Sequence, residues 1–387
     1  MAQATSTRPI YLDHHATTPV DPRVLGQMYP YFSQYFGNPG SDHAYGIEAG
    51  CAIERARQQV AAALQAREDE IIFTSGGTEA NNLAIAGVAE RYGEQRRHMI
   101  TCQTEHMAVL NVCRELERQG WGVTYLSVDE QGCLDLEDLR RAITAETTLI
   151  SIMAANNEIG VLAPLAEIGE IAHAHNVLFH TDATQAAGLL SLDVRAMQID
   201  LLTLSAHKVY GPKGVGALYV RKTPPPGLLV PQVRGGGHER GLRSGTLNVP
   251  GIVGLGEALG IAVNEQKCDT TRLRDLRDRL WDGLSASITG IVRNGHPTKC
   301  LPNNLNVAIP GVDAQNMLAL LRPTVALSTG SACHTFTREP SHVILALGKS
   351  PEHARCTLRM GLGRFTTVQE IADAVHQISS AVSQLRG

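Results

Sequence analysis

The chain has 387 residues, 43% hydrophobic and 19% charged, with a formal net charge of -4. That length exceeds one ordinary core and predicts a large domain with a smaller one, and the composition is that of a compact globular protein rather than a disordered one. The slightly negative overall field attracts neither nucleic acid nor an anionic membrane, so neither is expected as a partner.

No run approaches the roughly 20 apolar residues of a membrane span, and the first ten residues lack the apolar core of a secretory signal. The eight cysteines are scattered, without a C-x-x-C pair. Their spacing suggests no zinc site and no disulfide framework, so a reducing cytoplasm and mostly buried free thiols are expected.

In chain order, short apolar runs alternate with longer amphipathic ones from about residue 70 to 220. Ile71-Ile72-Phe73, His98 to Thr101, Val123 to Leu126, Thr148 to Ile152, Val177 to Phe179 and Leu201 to Leu204 are predicted strands. Helical periods fall between them, through Leu83 and Val88 and over 107–119, 135–143 and 164–175. This alternation predicts an α/β fold with a mostly parallel sheet covered on both faces.

The prolines of Thr223 to Gly227 mark a turn, because they remove ladder donors. Beyond residue 260 long polar helices, including the charged run Arg272 to Arg279, are interspersed with short strands at 304–308 and 325–328. The last helix opens on a Thr367/Glu370 capping box and carries Ile371, Val375, Ile378, Val382 and Leu385 on one face.

Ser205-Ala206-His207-Lys208 directly follows the strand Leu201 to Leu204 and precedes Gly211 to Gly214. A lysine held at a strand end suits a Schiff base. Asp182 ends another predicted strand, and the carboxyl ends of strands are where open parallel sheets place ligands. A carboxylate there can keep the pyridine nitrogen of pyridoxal phosphate protonated, and Gln185 can reach the ring hydroxyl. Thr74 to Glu79 turns from strand to helix through Gly76-Gly77, which suits a phosphate at a helix N-terminus. It carries no nucleotide-binding pattern.

These segments, with Ile10 to Asp13, Ala16 to Pro19, Phe36 to Pro39, Thr104-Glu105-His106, Asn156 to Gly160, Gly235 to Gly241, Arg243 to Thr246, Ser328 to Cys333 and Leu362 to Phe365, resemble the cysteine desulfurases of the class V aminotransferase family. The resemblance implies a fold-type I pyridoxal-phosphate-dependent transferase. Its large domain, over 16–260, would hold a mainly parallel seven-stranded sheet. A smaller α+β domain, over 1–15 and 261–387, would carry a cysteine loop at about 328–340.

The same resemblance implies that Lys208 carries pyridoxal 5'-phosphate, Asp182 pairs with the ring nitrogen, and Gln185 and Asn157 contact the ring oxygen or substrate. His106 would stack over the ring, and Gly77, Thr78, Ser205, His207 and, from the second subunit of a homodimer, Thr246 would hold the phosphate. Arg359 would bind the carboxylate of L-cysteine. Cys333 would take the sulfur as a persulfide for an acceptor such as a cluster scaffold. No resident metal is implied, though the Cys333 thiol could ligate a cluster transiently, and His173 and His175, two apart on a helix, do not form a metal pair.

Two departures stand out. His14-His15 occupies a place where relatives often have tyrosine, asparagine or serine, and Phe336-Thr337-Arg338 is bulkier than the small residues usual there. The alternative readings are a selenocysteine lyase or other enzyme on the same scaffold, and a sulfur-carrier scaffold without catalysis.

Overall fold

The structure is a computed structural model that describes residues 8–222, 227–329 and 339–387. The turn expected at Thr223 to Pro226 and the loop containing Cys333 lie outside the described residues. Twelve strands run through the described residues: β1 (Ile10–Tyr11), β2 (Ile71–Thr74), β3 (His98–Cys102), β4 (Gly122–Leu126), β5 (Thr147–Ser151), β6 (Leu178–Asp182), β7 (Leu201–Ser205), β8 (Gly216–Val220), β9 (Val292–Asn294), β10 (Asn304–Ala308), β11 (Val325–Ala326) and β12 (Thr357–Gly361).

Seven of them form one sheet in the order β2-β8-β7-β6-β5-β3-β4. Pairing is parallel except around β8, which runs antiparallel to both β7 and β2. Every predicted strand of this sheet is present. β8 is the addition, its Gly-Ala-Leu-Tyr-Val merging with the glycine-punctuated turn Gly211 to Gly214 that runs into it.

The continuous apolar runs are explained by burial on both faces. Ile71, Phe73, Leu202, Leu204, Ala217 and Tyr219 point into one core cluster, while their neighbours Ile72, Leu201 and Leu218 point into another. Side chains alternate across the sheet, so a strand covered on both sides must be apolar at every position. Helices Ala44–Leu64 and Leu165–Ala174 cover the first face, and Gly77–Tyr92 and Met107–Arg118 cover the second.

The helix Val249–Ser287 starts earlier than the polar composition beyond 260 suggested. Its first half, through Leu259, packs with the central sheet, whereas Leu273, Leu276, Leu280 and Leu284 belong to a separate cluster. That cluster is built on the antiparallel sheet β12-β10-β9, the parallel pair β1-β11 and the C-terminal helix Val368–Arg386, whose Thr367/Glu370 capping box is formed.

The cysteines depart from expectation. Of the seven in the described residues, all free, only Cys102, Cys113 and Cys300 are buried. Cys51 and Cys268 lie on the solvent side of the two long helices, where a small side chain is tolerated without packing. His173 and His175 are engaged separately, the first with Arg221 and Asp200 and the second with the Ile171 carbonyl. Among the described residues no helix is long and apolar enough to cross a membrane.

Candidate functional site

The parallel strands β2, β3, β5, β6 and β7 point their carboxyl ends to one side, and the segments leaving them converge on a cavity of about 240 Å³. Ten of the twelve residues singled out from sequence line it: Gly77, Thr78, His106, Asn157, Asp182, Gln185, Ser205, His207, Lys208 and Arg359. Thr246 does not. It is exposed, beside Tyr31, Tyr35, Phe36 and Asn38. Cys333 lies outside the described residues.

Lys208 closes a single 3-10 turn, Ala206–Lys208, immediately after β7. Its Nζ donates to the carbonyls of His15 and, at 2.9 Å, Ala16. Asp182, the last residue of β6, is 4% exposed. Three donors orient its carboxylate: Asn81 Nδ2 at 2.7 Å on Oδ2, and the Thr184 amide and hydroxyl at 3.0 and 2.7 Å on Oδ1. Neither Asn81 nor Thr184 was singled out from sequence. Asn81 lies one turn into the helix that opens at Gly77, and Thr184 follows the strand in Asp182-Ala183-Thr184.

Gly77 is required by proximity, since a Cβ there would come within 2.9 Å of the Thr184 methyl. Gly76 before it has φ +152°, a conformation that side chains rarely adopt. The pair brings the helix N-terminus, with its amides and partial positive charge, against the ends of β6 and β7.

His106 caps the helix Met107–Arg118, its Nδ1 accepting the Ala108 amide at 3.1 Å. An accepting Nδ1 leaves the ring hydrogen of the neutral form on Nε2. His207 is held to Thr17 at 3.1 Å, and burial with the nearby Lys208 and Lys213 charges pushes its imidazole down to about 4. His180 bridges Ser151 on β5 and Thr203 on β7 at 2.8 and 3.1 Å; it ties three strands together behind the cavity.

Arg359, on β12, reaches the cavity from the other sheet. It is 2% exposed and donates to the Asn157 carbonyl at 2.9 Å and to Asp13 at 3.0 Å. Its main chain also pairs with Ser328. Ser341 and His342, which follow the undescribed segment, are docked as well, Ser341 on the Glu158 carboxylate at 2.6 Å and His342 on the Glu105 carbonyl at 3.0 Å. Ser328 before Cys333, and Ser341 and His342 after it, are therefore held at or beside this cavity.

Two further residues have unusual surroundings. Glu105 is fully buried, its Oε1 accepting the Met153 amide at 2.5 Å while Oε2 has no partner among the described residues. Burial first, and then the Asp182 charge, hold its carboxyl well above the usual range. Its motif, Thr104-Glu105-His106, was visible in sequence, but nothing there says that the carboxylate turns inward. His15 is 2% exposed and likewise keeps one ring nitrogen, Nε2, without a partner among the described residues.

The Aminotransferase class-V family profile matches residues 10–373. The chain belongs to this family. Class-V enzymes of this kind depend on pyridoxal phosphate, and the cavity suits it: an amine for the aldehyde, an oriented carboxylate for the ring nitrogen, and a glycine-opened helix end for the phosphate. Among proteins similar to the chain is the human cysteine desulfurase, 49% identical over 380 residues, spanning 98% of this chain and 83% of the relative. A solved NifS-like protein superposes with a TM-score of 0.91 at 38% identity, covering 98% of this chain and all of the other. The structure titled SspA in complex with cysteine matches with a TM-score of 0.82 at 38% identity, over 93% of this chain and all of that one.

Proposed function

We propose that the chain is a cysteine desulfurase that converts L-cysteine to L-alanine and carries the removed sulfur as a persulfide on Cys333. The observation that carries this reading is the convergence of Lys208, Asp182, His106 and Arg359 on one cavity, beside which Ser328 and His342, flanking Cys333 in sequence, are held. Pyridoxal phosphate, bound through Lys208, supplies an aldehyde for the substrate amine and a protonated ring that withdraws electrons from the reacting carbons.

The protein's own groups do the rest. Arg359 presents a guanidinium to the substrate carboxylate, with its orientation set by Asp13 and the Asn157 carbonyl. Asp182 would pair with the ring nitrogen and Gln185 with the ring oxygen, His106 would stack on the ring, and Asn157 would touch ring oxygen or substrate. Gly77, Thr78, Ser205 and His207 would hold the phosphate. The Lys208 amine would move the proton at the substrate Cα, and the Nε2–H of His106 would exchange protons with the substrate.

Cys333, as thiolate, attacks the substrate sulfur; an S–S bond forms as the C–S bond breaks, and the carbon left behind gains a proton to become alanine. The persulfide then passes to an acceptor protein such as a cluster scaffold. A homodimer would complete the site through Thr246, which is exposed beside an aromatic surface in which Tyr29, Phe32 and Phe36 are 61–68% exposed. The two separate apolar clusters support a division into 16–260 and 1–15 with 261–387, joined by the helix Val249–Ser287. The free described cysteines fit a cytoplasmic enzyme.

The test is to incubate the pure protein with L-cysteine, with and without reductant, and to quantify alanine, sulfide and protein persulfide. Alanine and persulfide should appear in equal amounts without reductant. C333S should keep the cofactor colour and form no alanine; unchanged alanine output from it refutes the assigned carrier. Much faster turnover of selenocysteine than of cysteine would favour the lyase reading instead.

A further inference from the structure

The departure at His14-His15 falls on the cavity wall, where the second histidine meets Gln185. Two bonds join them. His15 Nδ1 lies 3.0 Å from Gln185 Oε1, and Gln185 Nε2 donates to the His15 carbonyl at 3.0 Å. A main-chain carbonyl only accepts, so the carboxamide atom facing it is the NH2 group. The atom facing the ring is then the amide oxygen, and Nδ1 must carry the hydrogen. Turning the amide over would set oxygen against oxygen at the carbonyl, so the clamp closes in one sense only.

Burial, and then the Arg359 charge, push the His15 imidazole down to about 3, so the ring stays neutral and the Nδ1–H donor persists at any working pH. Within the amide, one hydrogen of the NH2 group is used by the His15 carbonyl and the other remains.

We propose that His15 is a positioning residue whose Nδ1–H and carbonyl together lock Gln185, so that the remaining amide N–H, and not the amide oxygen, faces the ring hydroxyl oxygen of the cofactor. This rests on the reading above in which Gln185 contacts that oxygen. A donor at the oxygen stabilises its anionic form, and does so most when the Lys208 Schiff base has lost the proton it otherwise shares with that oxygen. The Schiff base therefore gives up its proton at a lower pH than it would without the donor. Lys208, Arg359 and His14 are the charged or titratable groups acting on His15, and Asp182, His106 and His207 line the same cavity; a substitution at position 15 removes none of them.

The test is an absorbance titration of the Schiff base against pH in full-length, cofactor-loaded protein. H15L fills the space without a donor, whereas H15N returns an amide N–H near the place of Nδ1. In H15L the Schiff-base pKa should rise by roughly half to one unit, the size expected for one net hydrogen bond. H15N should stay close to the wild type, Q185L should show the same rise as H15L, and the double variant should add nothing.

An unchanged pKa in H15L overturns the inference, and so does an equal rise in H15N, which would make ring volume rather than the donor responsible. If leucine prevents soluble loaded protein, H15A, which only truncates, is read by the same criteria. Wild-type protein lacking Schiff-base absorbance would defeat the cofactor assignment itself, whereas a normal wild-type spectrum with an unshifted H15L defeats only the role of His15.

Discussion

Arg57 and Arg359 are buried equally, at 3% and 2% exposure, but their surroundings differ in kind. Around Arg57 the charges answer one another within the protein. Its guanidinium makes a two-pronged pair with Glu239 at 2.8 and 3.0 Å, donates to the Ile71 carbonyl at 2.7 Å and lies over the Phe73 ring. Glu239 in turn accepts the Phe73 amide at 2.7 Å. On the cavity, Arg359 pairs with Asp13 at 3.0 Å, but His15 Nε2, and Oε2 of Glu105 next to the cavity residue His106, have no partner among the described residues.

The difference separates two uses of buried charge. A closed network fixes geometry, here tying the 235–246 segment to β2. Buried polar groups left open are tolerated where a ligand completes them. Substitutions in the first region should therefore cost stability and spare chemistry, and those in the second should do the reverse.

The largest effect is expected from K208A. Alanine formation should fall by at least about 10³-fold with loss of the group that moves protons at the substrate carbon. Borohydride should no longer lock cofactor onto the peptide containing position 208, while the thermal midpoint stays within a few degrees of wild type. A large drop in midpoint would place Lys208 with Arg57 rather than opposite it.

The converse case is E239A. Removing the carboxylate leaves the buried Arg57 guanidinium with the exposed Glu54, at 3.1 Å, as its one remaining ionic partner among the described residues, which should lower stability to urea by roughly 3 kcal/mol. The cofactor band of the protein that remains folded should not move. Replacing both partners by apolar residues, as R57M/E239L, should recover only part of the loss, because the uncompensated charge is gone but the Phe73 amide still lacks the acceptor that Glu239 supplied.

Much of this architecture was legible because it is written in period and punctuation. Runs such as Ile71-Ile72-Phe73 are apolar at successive positions for the simple reason that both faces of the sheet are covered. The glycines and the lysine stand where strands end. What escaped was whatever depends on contact between distant segments. β8 is recognisable only by its antiparallel pairing between β7 and β2. Arg57 and Glu239 are 182 positions apart, and His15 meets Gln185 across 170. A residue's type announces that it can donate or accept; whether the partner is there is settled by the fold.

Glu105 gives the smallest effect and the one with opposite sign. Its carboxyl is held well above the ordinary range by burial, so the folded state keeps a proton that the unfolded chain releases near its usual pKa. Between those two values the folded state binds more protons than the unfolded one, and stability falls as pH rises. Below the unfolded value both states are protonated and the difference vanishes.

Glutamine in its place is neutral at every pH and still offers an oxygen to the Met153 amide. E105Q should thus match the wild type near pH 4 and become the more stable of the two as pH rises above the usual carboxyl range. The measurement is urea denaturation of both proteins across that range. A parallel pair of curves would mean that Glu105 ionises freely when folded, and that its unpartnered oxygen belongs with the satisfied charges of the Arg57 region after all.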